Sequence, residues 1–132
     1  MENELPNAPL YDVPAKLLAE FGLRPGGATV SSYKCNDPNA VMVPVGELIP
    51  PVLGVRRGLD PKRLRGVLAA VVGGRPLPPL PVFRELGAPR ATILDGAHRY
   101  YVSVAYGFAS VPCEFISRDD AEVSYRYPVG QR

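Results

Sequence analysis

The stretch "ATILDGAHRYYVSVAYGF", residues 91–108, decides how the rest of the chain is read. A β-branched apolar run, "RATIL" at 90–94, stops at Asp95-Gly96, and helical spacing begins at once. Ala97, Tyr100, Tyr101, Val104 and Ala105 form one apolar face at that spacing, and Gly107 closes it. The pattern predicts a strand, a sharp corner and a helix. His98, the only histidine of the chain, and Arg99 fall on the first helical turn. Both lie off the apolar face, Arg99 almost opposite it, which leaves them free to meet a ligand.

A helix begins with unpaired N–H groups and a partial positive charge of about half a unit. An anion settles there with little further help. Arg can grip phosphate oxygens with two prongs, and His can donate a hydrogen bond or pass a proton. Gly96 lets the backbone approach the anion closely. The corner reads as a phosphate site. The plainer alternative is that Asp95 caps the helix, Gly96 serves the turn, and His98 and Arg99 are solvated.

Upstream, "LDPKRLRGVLAAVVGG" at 59–74 predicts a second helix. Asp60 suits its N-cap and Pro61 its first position, Leu64, Val67, Leu68, Val71 and Val72 repeat at helical spacing, and Gly73-Gly74 ends it. "AVMVPVGEL" at 40–48 predicts a strand whose proline favours a sheet edge. "LPPLPVFREL" at 77–86 predicts a short strand near Leu80 to Arg84, and "SVPCEFIS" at 110–117 predicts a last one. The tail "DDAEVSYRYPVG" at 119–130 adds a short element. Strand, helix, strand, strand, helix, strand describes a small α/β (α+β) layer structure: a mixed sheet with packed helices. Residues 41–130 form this domain. Residues 1–40 read as an extension that packs on it or stays partly mobile, with one short helix in "PAKLLAEFG" at 14–22.

Composition narrows the function. The chain has 132 residues, enough for one core, and 16 Pro with 13 Gly argue against a helical bundle. A formal charge of +2 is too small for bulk nucleic-acid binding. Cys35 and Cys113, with one histidine, offer no zinc spacing, and Cys113 reads as a buried apolar filler. "MENELPNAPL" is not a signal peptide, and no apolar run reaches the ~20 residues that cross a membrane. A cytoplasmic protein is expected, with no membrane partner. No GxxxxGK[ST] or GxGxxG loop is present.

From about Val43 to Gly130 the order and spacing resemble the ParB/sulfiredoxin superfamily, most specifically in "ILDGAHRYYVSVAYGFASVPCEF" at 93–115. The resemblance implies that Gly96, Ala97, His98 and Arg99 surround nucleotide phosphates, with Lys62 or Arg63 at the first helix and Arg57 just upstream. It also places a C-terminal strand in "AEVSYRYPVG" at 121–130. Sulfiredoxin's reactive cysteine falls at Ala97, so sulfinic acid repair by that chemistry is not available. Free serine kinases of the superfamily share an Asp-Gly corner and a glutamate, here Asp95 and Glu47. The function implied is binding of ATP or another nucleotide with Mg²⁺, coupled to ATPase or small-molecule phosphotransferase activity. Asp95 would be a metal ligand or catalytic group and Glu47 the base. A nucleotide-switched module that binds a protein partner without turnover is the alternative. DNA contact through Arg56, Arg57, Lys62, Arg63 and Arg65 ranks last, since no reader motif is present.

Overall fold

The computed structural model describes residues 10–51, 53 and 58–128. In chain order these form α1 (Ala15–Ala19), β1 (Val41–Pro44), a 3₁₀ turn (Val45–Glu47), β2 (Leu48–Ile49), α2 (Pro61–Gly73), β3 (Leu80–Phe83), β4 (Ala91–Ile93), α3 (Ala97–Tyr106), β5 (Ser110–Phe115) and α4 (Arg118–Tyr125). The strands make a five-stranded mixed sheet in the order β1-β5-β3-β4-β2. The class is α+β, as the order of elements in the sequence implies.

"AVMVPVGEL" does not form one strand. The turn at Val45–Glu47 splits it, and its halves pair at opposite edges of the sheet: β1 antiparallel to β5, β2 parallel to β4. A flat five-stranded sheet would place its edge strands about 19 Å apart, at ~4.8 Å per gap. The chain from Pro44 to Leu48 reaches at most about 14 Å. The sheet is therefore curled, and residues 41–49 draw its two edges together. All of β3 is buried at its centre.

The caps of α2 follow from its residues. Asp60 Oδ1 accepts from Lys62 N at 3.1 Å, Pro61 occupies the first position of α2, and Gly74 takes a left-handed φ of 68° beyond its end. Leu64, Leu68 and Ala70 are buried in α2, whereas Val72 is 52% exposed. In α3 the buried residues are Tyr100, Val102 and Ser103, and Val104, expected on the apolar face, is 45% exposed. The helix is covered on two sides. Tyr100 joins the sheet cluster with Leu80 and Val82, and Val102 joins Leu17, Leu18, Leu59, Leu64 and Leu68. Such a sandwiched helix buries a wider, rotated arc than a single stripe. Ser103 is tolerated inside because its Oγ donates to Arg99 O at 2.8 Å.

The tail corrects the expected C-terminal strand. Residues 118–125 are the helix α4: Ser117 Oγ accepts from Asp120 N at 3.1 Å, and Asp119 and Asp120 stand in its positive first turn. Arg126 ends it at a left-handed φ of 57°. Buried Ala121 joins Phe83, and Tyr127 packs on the Phe83 ring at 5.4 Å.

From Leu10 onward the N-terminal segment is part of the packing. Leu17 and Leu18 are fully buried. Gly26 N donates to Ala105 O, Ala28 N to Tyr106 O and Ser110 N to Ser31 O, at 2.9, 2.9 and 3.0 Å. Gly107, the α3 C-cap with φ 94°, has no room for a side chain, since a Cβ would lie 2.8 Å from Gly26 Cα.

Candidate functional site

β4 leaves the sheet with Leu94 N donating to Pro81 O at 2.8 Å. The chain then reverses at Gly96, which holds φ 97° and ψ 33° as the N-cap of α3. That left-handed conformation is costly for any residue with a side chain. A Cβ at Gly96 would also overlap Leu80 Cδ2 and come within 2.9 Å of Arg99 Nη2. Gly96 is required by the turn, and its bareness is what lets the Arg99 guanidinium fold back over the corner. Asp95 is exposed and its Oδ1 accepts from Gly96 N at 2.8 Å, within its own turn. Among the described residues no side chain caps α3.

His98 and Arg99 are not the unattached side chains the sequence implies. His98 Nε2 accepts from Asp60 N at 2.9 Å, which ties the start of α3 to the N-cap of α2. Burial, reinforced by the nearby Arg63 charge, holds the His98 pKa below its ordinary value, against smaller opposing effects of Asp60 and Asp95. The ring is neutral at pH 7, and because Nε2 accepts, the proton sits on Nδ1. Arg99 Nη1 donates to Pro78 O at 2.7 Å and to Pro79 O at 2.9 Å. Tyr33 OH donates to the same Pro78 carbonyl at 2.7 Å, with its pKa pushed up by burial. At about 100° per residue Arg99 falls between buried Val102 and Tyr100, not opposite the buried arc. Because side chains on a helix lean toward its N-terminus, it reaches the loop that precedes β3.

These contacts frame a cleft of ≈ 460 Å³. The face of α2 that carries Arg63, Gly66 and Val67 forms one lining, the corner from Asp95 to Arg99 another, and Leu77 and Pro78 contribute from the loop. Arg63 thus joins Asp95, Gly96, Ala97, His98 and Arg99 at one site. Lys62 is exposed and does not line it, and Arg57 lies outside the described residues, as does Arg56. Glu47 is not brought there. Leu48 pairs with Ala91, so Glu47 is level with Arg90, five residues before Asp95 on a strand that rises ~3.3 Å per residue. Arg65 is turned toward α1, where its Nε and Nη2 donate to the two carboxylate oxygens of Glu20 at 3.0 and 3.1 Å. Cys113 is fully buried and its thiol is pushed up to about 12 by desolvation.

Sequence reasoning missed the Asp60 amide, Tyr33 and the Pro78 and Pro79 carbonyls. Backbone groups leave no residue-type signal. Gly66 did leave one: a glycine inside a predicted helix.

No protein-family model and no curated protein sequence matches the chain. Among solved structures it is similar to the C-terminally truncated chromosome-partitioning protein ParB from Caulobacter crescentus, complexed to the centromeric parS site. The similarity covers 61% of this chain and 41% of that one, with a TM-score of 0.46 and 21% identity. The roles of individual residues rest on the geometry above.

Proposed function

We propose that the protein binds a nucleotide or another phosphorylated small molecule in the cleft at the Asp95-Gly96 corner. The observation that carries this reading is the convergence of Arg63 from α2 with His98 and Arg99 from α3 on one cleft of ≈ 460 Å³. That volume lies within the roughly 300–1,000 Å³ of small-molecule sites. Phosphate oxygens would meet the two guanidinium groups, the open amides of α3 and the Nδ1–H of neutral His98. Arg99 is already anchored through Nη1, so little side-chain freedom is lost when its remaining N–H groups engage an anion.

Mg²⁺ fits the site as a companion of the phosphates. Among the described residues no group of three or more His, Cys, Asp or Glu side chains gathers. Mg²⁺ commonly needs only one or two carboxylates, the rest of its oxygen shell coming from phosphates and water. Asp95, the carboxylate lining the cleft, meets that need. The ion would neutralise charge on the phosphates, which Asp95 alone would repel.

We rank nucleotide-switched binding ahead of phosphotransfer or ATP hydrolysis. Phosphoryl transfer requires an oriented attacking group, and the register of β2 with β4 keeps Glu47 away from the corner. Turnover would leave that role to Asp95. Direct DNA binding is weakened by the pairing of Arg65 with Glu20. Calorimetric titration of ATP with and without Mg²⁺ tests the reading. Arg63→Ala, at an exposed residue, is expected to weaken ATP binding by about 1.5–3 kcal/mol while leaving the melting temperature nearly unchanged. Equal affinities in wild type and Arg63→Ala would refute the site. Phosphate release from ATP by the purified protein, lost in Asp95→Asn, would reverse the ranking.

A further inference from the structure

Among the described residues nothing inside the protein requires a glycine at position 66. It lies in the interior of α2, where glycine is the least favourable residue after proline. Gly96 and Gly107 are explained by their positive φ and by close neighbours. At Gly66 an added Cβ would meet nothing within 4 Å among the described residues, and the backbone is not in the left-handed region. The residue is exposed, and it faces the cleft.

Arg63, Gly66 and Val67 are spaced i, i+3, i+4, so they share one face of α2. Arg63 stands on the first turn. Gly66 and Val67 stand about 5.4 Å further along, one turn on. Half-buried Val67 and Leu77 supply apolar surface beside the exposed backbone of Gly66. A ligand whose phosphates sit between Arg63 and the corner places its adjoining part on this second turn. A bare helix backbone flanked by apolar side chains admits a flat ring at van der Waals distance, and a side chain at position 66 would stand in its place.

We infer that Gly66 is a specificity-determining position: its missing side chain leaves the second turn of α2 open for the base of a nucleoside polyphosphate. This rests on the phosphate reading above and adds to it the part of the ligand that is not phosphate. Helix stability is given up at position 66 in exchange for room in the cleft.

The test uses Gly66→Ala and Gly66→Leu in the full chain, with ATP and tripolyphosphate as probes by calorimetry, beside thermal melts without ligand. Both variants fill an open helix position with a good helix former, and Gly66→Ala is expected to raise Tm by about 2–5 °C. ATP affinity is expected to fall about threefold or more in Gly66→Ala and about tenfold or more in Gly66→Leu. Tripolyphosphate affinity stays unchanged in both. Unchanged ATP affinity in Gly66→Leu overturns the inference while leaving the phosphate site standing. So does an equal loss for both probes, and so does a lowered Tm in Gly66→Ala, which would give the glycine a structural role. A wild-type protein that binds neither probe removes the phosphate reading and this inference together.

Discussion

At the scale of single residues, Arg99 combines two roles that the sequence presented as one. Its place next to a helix start was legible. Its expected place opposite the apolar face was not borne out, because at about 100° per residue it falls between buried Val102 and Tyr100. Its partners, Pro78 and Pro79, lie about twenty residues away and offer only carbonyls. Nothing in residue type announces that pairing. Arg99→Ala therefore removes a structural anchor as well as the phosphate contact we propose. We expect a stability loss of about 1.5–3 kcal/mol without ligand, the range for hydrogen bonds of a charged group. We also expect ATP binding to weaken by about 1.5–3 kcal/mol. Arg99→Lys should recover part of the stability and little of the affinity, because an ammonium lacks the planar fork. Urea titration and calorimetry on the three proteins check both halves. A variant as stable as wild type would show that the carbonyl contacts contribute nothing. Gly96→Ala is the sharper residue-scale change. It forces a side chain into a left-handed turn against Leu80 and Arg99, and should cost at least about 2 kcal/mol by the same urea titration.

Between elements, the contact that matters most is the one from α3 to the start of α2. The helices themselves were legible, because Asp60-Pro61 and Asp95-Gly96 mark their starts and apolar spacing carries them onward. Their mutual register was not, since it depends on how two helices settle on a curled sheet. The same limit explains the two misread elements. Val45–Glu47 breaks the run after Pro44 and at Gly46, and the two halves join opposite sheet edges, while "AEVSYR" becomes helical once Ser117 caps it. The α2–α3 tie should respond to pH. His98 accepts a hydrogen bond from Asp60 N, and a protonated ring has no lone pair for it. Burial first, then Arg63, with a lesser effect of Arg99, lowers its folded-state pKa, outweighing Asp60 and Asp95. Below the ordinary value of about 6.5 the unfolded chain takes up the proton more readily than the folded one. Stability from this group is complete above that value and is lost as pH falls through it toward the lower folded pKa. Because His98 is the only histidine, melting temperatures between pH 7.5 and 5.5 report on it with little interference. Wild type should lose Tm across that range, and His98→Gln, which can still accept from Asp60 but does not titrate, should lose less. Parallel profiles would mean that the ring is indifferent to its charge.

For the whole molecule, the question is what residues 10–40 contribute. Turn-rich and aperiodic after Gly22, they carry few of the signals from which a packed segment is read. What binds them is tertiary. Leu17 and Leu18 are fully buried against Leu59, Leu64, Leu68 and Val102, which belong to α2, its approach and α3. Main-chain bonds from Gly26 and Ala28 to α3, and from Ser110 to Ser31, fasten the same segment along its length. Tyr33 then reaches the Pro78 carbonyl that also holds Arg99, so the segment supports the loop at the cleft. Truncating one buried leucine, as in Leu18→Ala, should cost about 3 kcal/mol. Removing residues 1–40 deletes two such leucines, uncovers their partners and strips the bonds to α3, a loss comparable to the roughly 5–15 kcal/mol by which a domain is stable at all. The fragment 41–132 is therefore expected to lack a cooperative melting transition, and its amide resonances should collapse toward unfolded positions, while Leu18→Ala still unfolds in a single, earlier step. A fragment 41–132 with dispersed resonances and a sharp transition would show that the core closes without α1, and that α2 and α3 hold the cleft between them unaided.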